Sequence, residues 1–382
     1  MKYKLFLVNT ILMLCFEANI LSGQTGCWKQ VSAGKFYTVA LKNDGTLWVW
    51  GDFESKLCPE SNLENHVPRI IGTANDWKQV SAGASHILAI KNDNSLWGWG
   101  FNGMGQLGDT SSKYQSIPIR IGTDNNWKEI SAFSHSVAIK NDGTLWAWGF
   151  NKYGQLGDGT NFDKHIPTRI GTDNDWKQIS TFSHTLAIKT DGTLWVWGFN
   201  KYGQLGDGTN FDKHIPTRIG TDKDWKLVST SDYRSFAIKV DGTLWAWGSY
   251  IVNPYGDSSY INTNIPIKID SASNWEQVSA NEFHAIAIKN DGTLWAWGYN
   301  FYGQLGDGSN IEKNTFIKID NFKNCKQVSI GTLHSVALQK DGTLWTWGYN
   351  KDGQLGDGTK LDSRAPKTIE CPMTNSIDEI KK

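Results

Sequence analysis

The chain has 382 residues and carries 38 Lys and Arg against 38 Asp and Glu, so its formal net charge at pH 7 is zero. That balance removes any global attraction to nucleic acid or to an anionic membrane surface. Thirteen per cent of the residues are aromatic and 20 are tryptophan, a content that must be accounted for before a ligand is invoked.

At the start of the chain, Lys2 and Lys4 precede an apolar run from Leu5 to Phe16, followed by small and polar residues around Ala18, Ser22 and Gly23. This is the pattern of a secretory signal peptide over residues 1–23, and the run is shorter than the roughly 20 residues that span a bilayer. Export to the periplasm or the extracellular space is therefore expected, with no membrane span after cleavage. It would leave Cys27, Cys58, Cys325 and Cys371 in an oxidising compartment, where three pairings are possible.

From Trp28 onward a unit of 49 or 50 residues recurs, opening near residues 28, 77, 127, 176, 225, 275 and 325. Its most constant stretch is Asp142-Gly143-Thr144-Leu145-Trp146-Ala147-Trp148-Gly149. Asp-Gly between apolar runs predicts a two-residue hairpin turn with positive φ. Alternation then sets Trp146 and Trp148 on one face of the following strand, with Leu145 and Ala147 on the other. Both faces are apolar, so the strand is expected between two packed layers. Fourteen tryptophans belong to the seven Trp-x-Trp pairs and the other six open repeats, which makes the aromatic richness a matter of construction.

In the third unit the predicted strands are Trp127 to Ala132, His135 to Lys140, Thr144 to Gly149 and Pro167 to Ile170, the last two joined by a loop from Phe150 to Ile166. Four short antiparallel strands in each of seven units predict an all-β fold, a seven-bladed β-propeller of four-stranded antiparallel blades over residues 27–371, followed by a flexible tail over 372–382. Closing such a ring end to end would make Cys27 and Cys371 neighbours, and they are the disulfide candidate. Cys325 replaces a repeat tryptophan and reads as a small buried hydrophobe. Cys58 lies in a divergent loop.

The motif Gly-x-Asn-x-x-Gly-Gln-Leu-Gly-Asp-Gly stands at Gly149 to Gly159, Gly198 to Gly208, Gly298 to Gly308 and Gly348 to Gly358, with a near copy from Gly100 to Asp109. Together with Ser-x-x-x-His-x-x-Ala-Ile upstream, it resembles the repeat of the regulator of chromosome condensation family, from about Trp28 to Ile369. The resemblance implies a seven-bladed propeller, a fold that serves exchange factors, chromatin binders, light sensors and secreted inhibitors. Two units depart from it, at Asp52 to Pro59 and at Ser249 to Gly256.

One repeat position holds Tyr37, His86, His135, His184, Arg234, His284 and His334. A metal ion needs ligands about 2 Å away, and equivalent positions of a wide ring are too far apart to share one, so structural histidines are expected and no metal. Strand direction sets the histidine turns and the Gly-Gln-Leu-Gly loops on one face, called upper here, and the Asp-Gly turns on the lower. The upper loops would present Met104, Tyr153, Tyr202, Tyr302, Phe162, Phe211, His165 and His214 for contact with another protein. The glycines at 103, 105 and 108 match a dinucleotide fingerprint in letter only, since no βαβ unit surrounds them. Neither a nucleophile elbow nor zinc-type spacing is present, so no catalytic residues and no cofactor are expected. The resulting expectation is a secreted monomeric protein-binding scaffold or inhibitor, neither an enzyme nor a nucleic-acid binder, with glycan binding as one alternative. The resemblance implies another, nucleotide exchange on a small GTPase, but the tight repeat spacing leaves no room for the β-hairpin wedge of such exchange factors.

Overall fold

The computed structural model describes residues 26–53, 65–110, 113–250, 261–320 and 322–372. The predicted signal peptide, Cys58 and the tail beyond Pro372 lie outside them. Seven four-stranded antiparallel sheets follow one another along the chain, each made of four consecutive strands. The first strands of neighbouring sheets touch, so they line the axis and the fourth strands form the outer wall. The fold is the predicted seven-bladed propeller.

In blade 3 the strands are Trp127–Ala132, His135–Lys140, Leu145–Gly149 and Lys164–Arg169. The outer strand begins before the predicted Pro167, because Gly149 pairs with Lys164 across a bulge that follows the Ala147 to Thr168 pair. Pro167 is tolerated there because an outer edge strand needs no further N–H. The hairpin turn also differs from expectation. Lys140 N–H donates to the Thr144 carbonyl at 3.0 Å and Gly143 N–H to the Lys140 carbonyl at 2.9 Å, so three residues close it. Only Gly143 is left-handed, with φ of 79°, and Asn94 fills that place in blade 2 with φ of 61°. Asp142 contributes its side chain instead: Oδ1 accepts the Thr144 N–H and hydroxyl at 3.0 and 2.7 Å, and Thr144 Oγ1 accepts the Trp146 indole N–H at 2.9 Å.

Each apolar cluster joins two consecutive blades. Leu145 and Ala147 of blade 3 pack on Trp176 and Trp197 of blade 4, and the pattern continues to the seam, where Val336, Leu338 and Leu344 of blade 7 meet Trp28 and Trp50 of blade 1. The paired indoles are not equivalent within this arrangement. Trp148 is fully buried whereas Trp146 is partly buried toward the lower rim. Trp127 meets both edge-on, with centroids 6.0 and 6.1 Å away, and the Lys140 ammonium lies 3.8 Å from the Trp146 ring. In blade 7, Phe322 supplies the ring that Cys325 lacks, 5.2 Å from Trp345 and 5.8 Å from Trp347. Cys325 is buried and free, and burial pushes its thiol up to about 12, which leaves it an inert hydrophobe.

Among the described residues no strand is shared across the seam between blades 7 and 1. The junction nevertheless repeats the bond found elsewhere, Trp28 N–H to the Gly342 carbonyl at 3.1 Å beside Trp77 to Gly45 at 3.2 Å and Trp176 to Gly143 at 3.1 Å. The predicted disulfide between Cys27 and Cys371 then ties two residues 344 positions apart, a kind of closure that stabilises by about 2–5 kcal/mol.

Around the axis the inner strands are stitched by side chains. Gln30 Nε2 donates to the Val80 carbonyl at 3.0 Å while its Oε1 accepts the Val80 N–H at 3.2 Å, and Gln327 bonds Val31 in the same reciprocal way. In blade 3 the position is Glu129, which accepts the Ile179 N–H at 3.0 Å. Burial raises its carboxyl to about 7.

Two outcomes follow from this packing. Trp148→Ala should destabilise the fold by about 3–5 kcal/mol, and Trp146→Ala clearly less, as measured by chemical denaturation; equal losses would contradict the unequal roles of the pair. Glu129 holds its proton more tightly folded than unfolded, so its contribution to stability is full below pH 4.5 and is lost as pH rises through 7. Glu129→Gln should therefore raise Tm at pH 8 and change it little at pH 4.5, where a pH-independent effect would contradict the account.

Candidate functional site

The repeated histidines point inward. His86, His135, His184, His284 and His334 are fully buried, and each Nε2 meets a hydroxyl of the next blade: Ser136 at 2.9 Å, Thr185 at 2.8 Å, Ser235 at 2.7 Å, Ser335 at 2.8 Å and Thr38 at 3.0 Å. Every one of these hydroxyls donates to the backbone carbonyl of a motif glutamine, Gln106, Gln155, Gln204, Gln304 or Gln354, at 2.7 to 3.0 Å. The hydroxyl proton is thereby committed, so the imidazole must carry its own on Nε2. Burial holds all five imidazoles down near a pKa of about 3, neutral at physiological pH. They are junction residues. Among the described residues no group of three or more His, Cys, Asp or Glu is disposed to hold a metal ion.

The Gly-Gln-Leu-Gly loop is the third member of this relay. In blade 3, Asn151 Oδ1 accepts the Leu156 N–H at 3.0 Å while its amide donates to Asp158 at 3.1 Å and to the Phe162 carbonyl at 3.0 Å. Leu156 is fully buried, and Gly157 sits so close to the next blade that a Cβ would lie 2.8 Å from Trp197 Nε1. The motif thus caps the junction between two blades.

Two junctions abandon all three members together. Blade 1 has Tyr37 for histidine, blade 2 has Ile87 for the hydroxyl, and the blade 1 loop lacks the glutamine; blade 5 has Arg234, blade 6 has Ala285, and the blade 5 loop departs likewise. At the first, Tyr37 donates its hydroxyl to the Gly83 or His86 carbonyl, both 2.9 Å away, and packs on Phe53 with centroids 5.0 Å apart. At the second, Arg234 donates to the Glu282 carbonyl and lies over Trp297 at 5.3 Å. A cleft of about 590 Å³ opens there, lined by Arg234, Glu282, Phe283, Trp297, Tyr299 and Phe316. Trp297 is partly open, whereas Trp99, Trp148, Trp197, Trp247 and Trp347 are fully buried.

The predicted loop-face residues divide into three groups. Tyr153, Tyr202 and Tyr302 are half-buried on the upper face. Met104, Phe162 and Phe211 are exposed at loop tips, the two phenylalanines by 71% and 76%. His165 and His214 lie on the outer strands, against Gly105 and Gly154 of the preceding loops.

The first group belongs to something larger that the repeat pattern did not reveal. Tyr153 packs on Phe150 and Phe199 (6.1 and 4.7 Å), Phe199 on Tyr202 (6.1 Å), and Tyr202 on Tyr233 (4.8 Å). A second run passes from Phe283 to Tyr299 (6.0 Å), Phe301 (6.4 Å), Tyr302 (5.0 Å) and Tyr349 (4.9 Å). One arc ends beside Asp232 and the other begins beside Glu282. These two carboxyls face each other: burial and the Glu282 carboxyl raise Asp232 to about 7, and burial raises Glu282 against the pull of Arg234 and Lys35. The pair therefore holds a proton between its two carboxyls up to about neutral pH. At the neighbouring inner turns, Phe133 and Phe182 stack 3.4 Å apart.

Comparison with known proteins agrees with this architecture. The sequence family described as RCC1-like domain matches residues 16–248, and the Regulator of chromosome condensation (RCC1) repeat matches residues 291–338 and 341–381 and, in a second form, 275–304 and 325–354. No curated protein sequence matches the chain. Among solved structures, human WBSCR16 is similar with 21% identity over 86% of this chain and 94% of that one, at a TM-score of 0.75. Prp20p from Saccharomyces cerevisiae, in a structure concerned with its binding to Gsp1p and histones, is 21% identical over 88% of both chains, at 0.72. The CRINKLY WD40 ectodomain of the Arabidopsis thaliana receptor kinase ACR4 is 13% identical over 85% of this chain and 96% of that one, at 0.51. With more than half of its length matched by the family and seven such blades in its structure, the chain belongs to the RCC1-like domain family.

Proposed function

We propose that this propeller is an exported protein-binding module, a scaffold or inhibitor without catalysis of its own, and that it engages its partner through the upper face. The observation that carries the reading is the pair of aromatic arcs. The lower indoles and the histidine relay are consumed in joining blades, but the rings from Phe150 to Tyr233 and from Phe283 to Tyr349 lie above those joints, half-exposed and contiguous. Half-exposed aromatic surface of this kind is typical of the anchors of protein interfaces.

Three further facts support the reading. Prp20p, a fold relative, binds Gsp1p and histones, and another relative is a receptor ectodomain, so the fold serves protein contact and serves outside the cell. The signal-like start and the Cys27–Cys371 disulfide both suit an oxidising compartment. Nucleotide exchange on a small GTPase draws on the family resemblance alone.

Replacing Tyr153, Tyr202 and Tyr302 together by Ala should weaken partner binding by roughly 2 kcal/mol or more, read by pull-down from the extracellular fraction, while Tm falls only slightly. A large loss of Tm would assign these rings to the core and end the proposal. Recognition on a glycan array without any protein bound would favour the glycan alternative.

A further inference from the structure

Between Tyr233 and Phe283 the two aromatic arcs of the upper face are separated at the junction where the relay is lost and the cleft opens. Resting on the reading of that face as a protein-binding surface, we infer that the partner inserts a basic side chain, an arginine before a lysine, between the two aromatic arcs at Asp232 and Glu282.

Charge and ring chemistry converge on this occupant. Of the seven inner turns, only those of blades 5 and 6 put carboxylates at this level; the others offer Lys35, Ala84, Phe133, Phe182 and Thr332. The flanking rings present π faces, which favour cations, and the chain's own lysines already use them: Lys152 lies 5.7 Å from the Tyr153 ring and Lys201 5.6 Å from Tyr202. A guanidinium can bond two carboxylates while its plane stacks on an aromatic ring, which an ammonium cannot do. Tyr233 borders the pair on one side and Tyr202 lies behind it, 4.8 Å away.

The charges already facing the pair set the conditions. Arg234 approaches from below and is engaged with the Glu282 carbonyl, and Lys35 acts on both carboxyls from blade 1. When a partner cation docks, the carboxyl pair releases its proton to solvent, and both carboxylates face the guanidinium. Binding is therefore weaker where the pair stays protonated and strengthens as pH rises through about 7. Lys35 competes for the same carboxylates, so Lys35→Ala strengthens binding.

The test is selection of a random twelve-residue displayed peptide library on the full chain, then calorimetry of the selected peptides on the parent protein, on Asp232→Asn/Glu282→Gln and on the triple tyrosine variant. The expected result is peptides carrying arginine or lysine whose affinity falls about tenfold or more in the carboxyl variant, at unchanged Tm, and rises several-fold from pH 6 to pH 8. Should the double variant fail to fold, the near-isosteric Asp232→Asn alone carries the comparison. Selected peptides without a basic residue, or basic peptides that bind the carboxyl variant as well as the parent, overturn the inference. If binding is lost in the tyrosine variant but kept in the carboxyl variant, the cation site falls and the protein-binding face stands. Selection of no peptide at all overturns both.

Discussion

The structure depends on one constraint: a four-stranded sheet with two apolar faces cannot be stable alone, so every blade must be wedged between two others. Val137, Ile139, Leu145 and Ala147 of blade 3 are fully buried only because blade 4 brings Trp176, Ile179 and Trp197 against them. Such packing has no natural end, and a chain that adds blades must either expose its last faces or close. Here it closes, with blade 7 packed on Trp28 and Trp50 and with Cys27 bonded to Cys371 across the seam.

Polar chemistry is built into the same joints. A histidine, a hydroxyl and a backbone carbonyl form a three-part connection at five of the seven junctions, and its members stand on three different segments some 30 and 50 residues apart. Neutral, buried and committed to one tautomer, these imidazoles are shielded from solvent. The loop glutamine serves the neighbouring indole as well, since the Gln106 carbonyl also accepts the Trp148 N–H at 3.0 Å. Removal of any one member would leave a buried donor or acceptor without its partner, which accounts for their loss as a set at the junctions of blades 1–2 and 5–6. The first is refilled by Tyr37 and Phe53. At the second, Arg234 brings charge to a place that is otherwise apolar and neutral, and the cleft beside Trp297 accompanies it.

Much of this was legible in the residues. The period, the hairpins and the Trp-x-Trp alternation determine the blades because strand packing is dictated by which faces are apolar, and the meeting of Cys27 with Cys371 follows once the ring closes. The hydroxyl partners were missed although their signal is present: the residue after each repeat histidine is Ser, Thr, Ala or Ile, and Ile87 and Ala285 follow the two blades whose histidine is replaced. The turn was misjudged because Asp142 works through its carboxylate and not through its φ. The encounter of Asp232 with Glu282 could not be read from spacing, since residues 50 apart meet only when two adjacent blades bring their inner turns together. The outer histidines, His165 and His214, fell to the wall because the fourth strand begins earlier than its proline suggests.

The central claim is that the repeated polar residues are joints, sealed from solvent in a closed ring. Nitrogen-detected NMR of the histidine side chains, followed from pH 7.5 down to pH 4.5, tests it most directly. The account predicts five imidazoles that stay neutral throughout, each protonated on Nε2 and bare on Nδ1. Any of the five gaining a proton within that range while the protein remains folded would show a junction open to water and would contradict it.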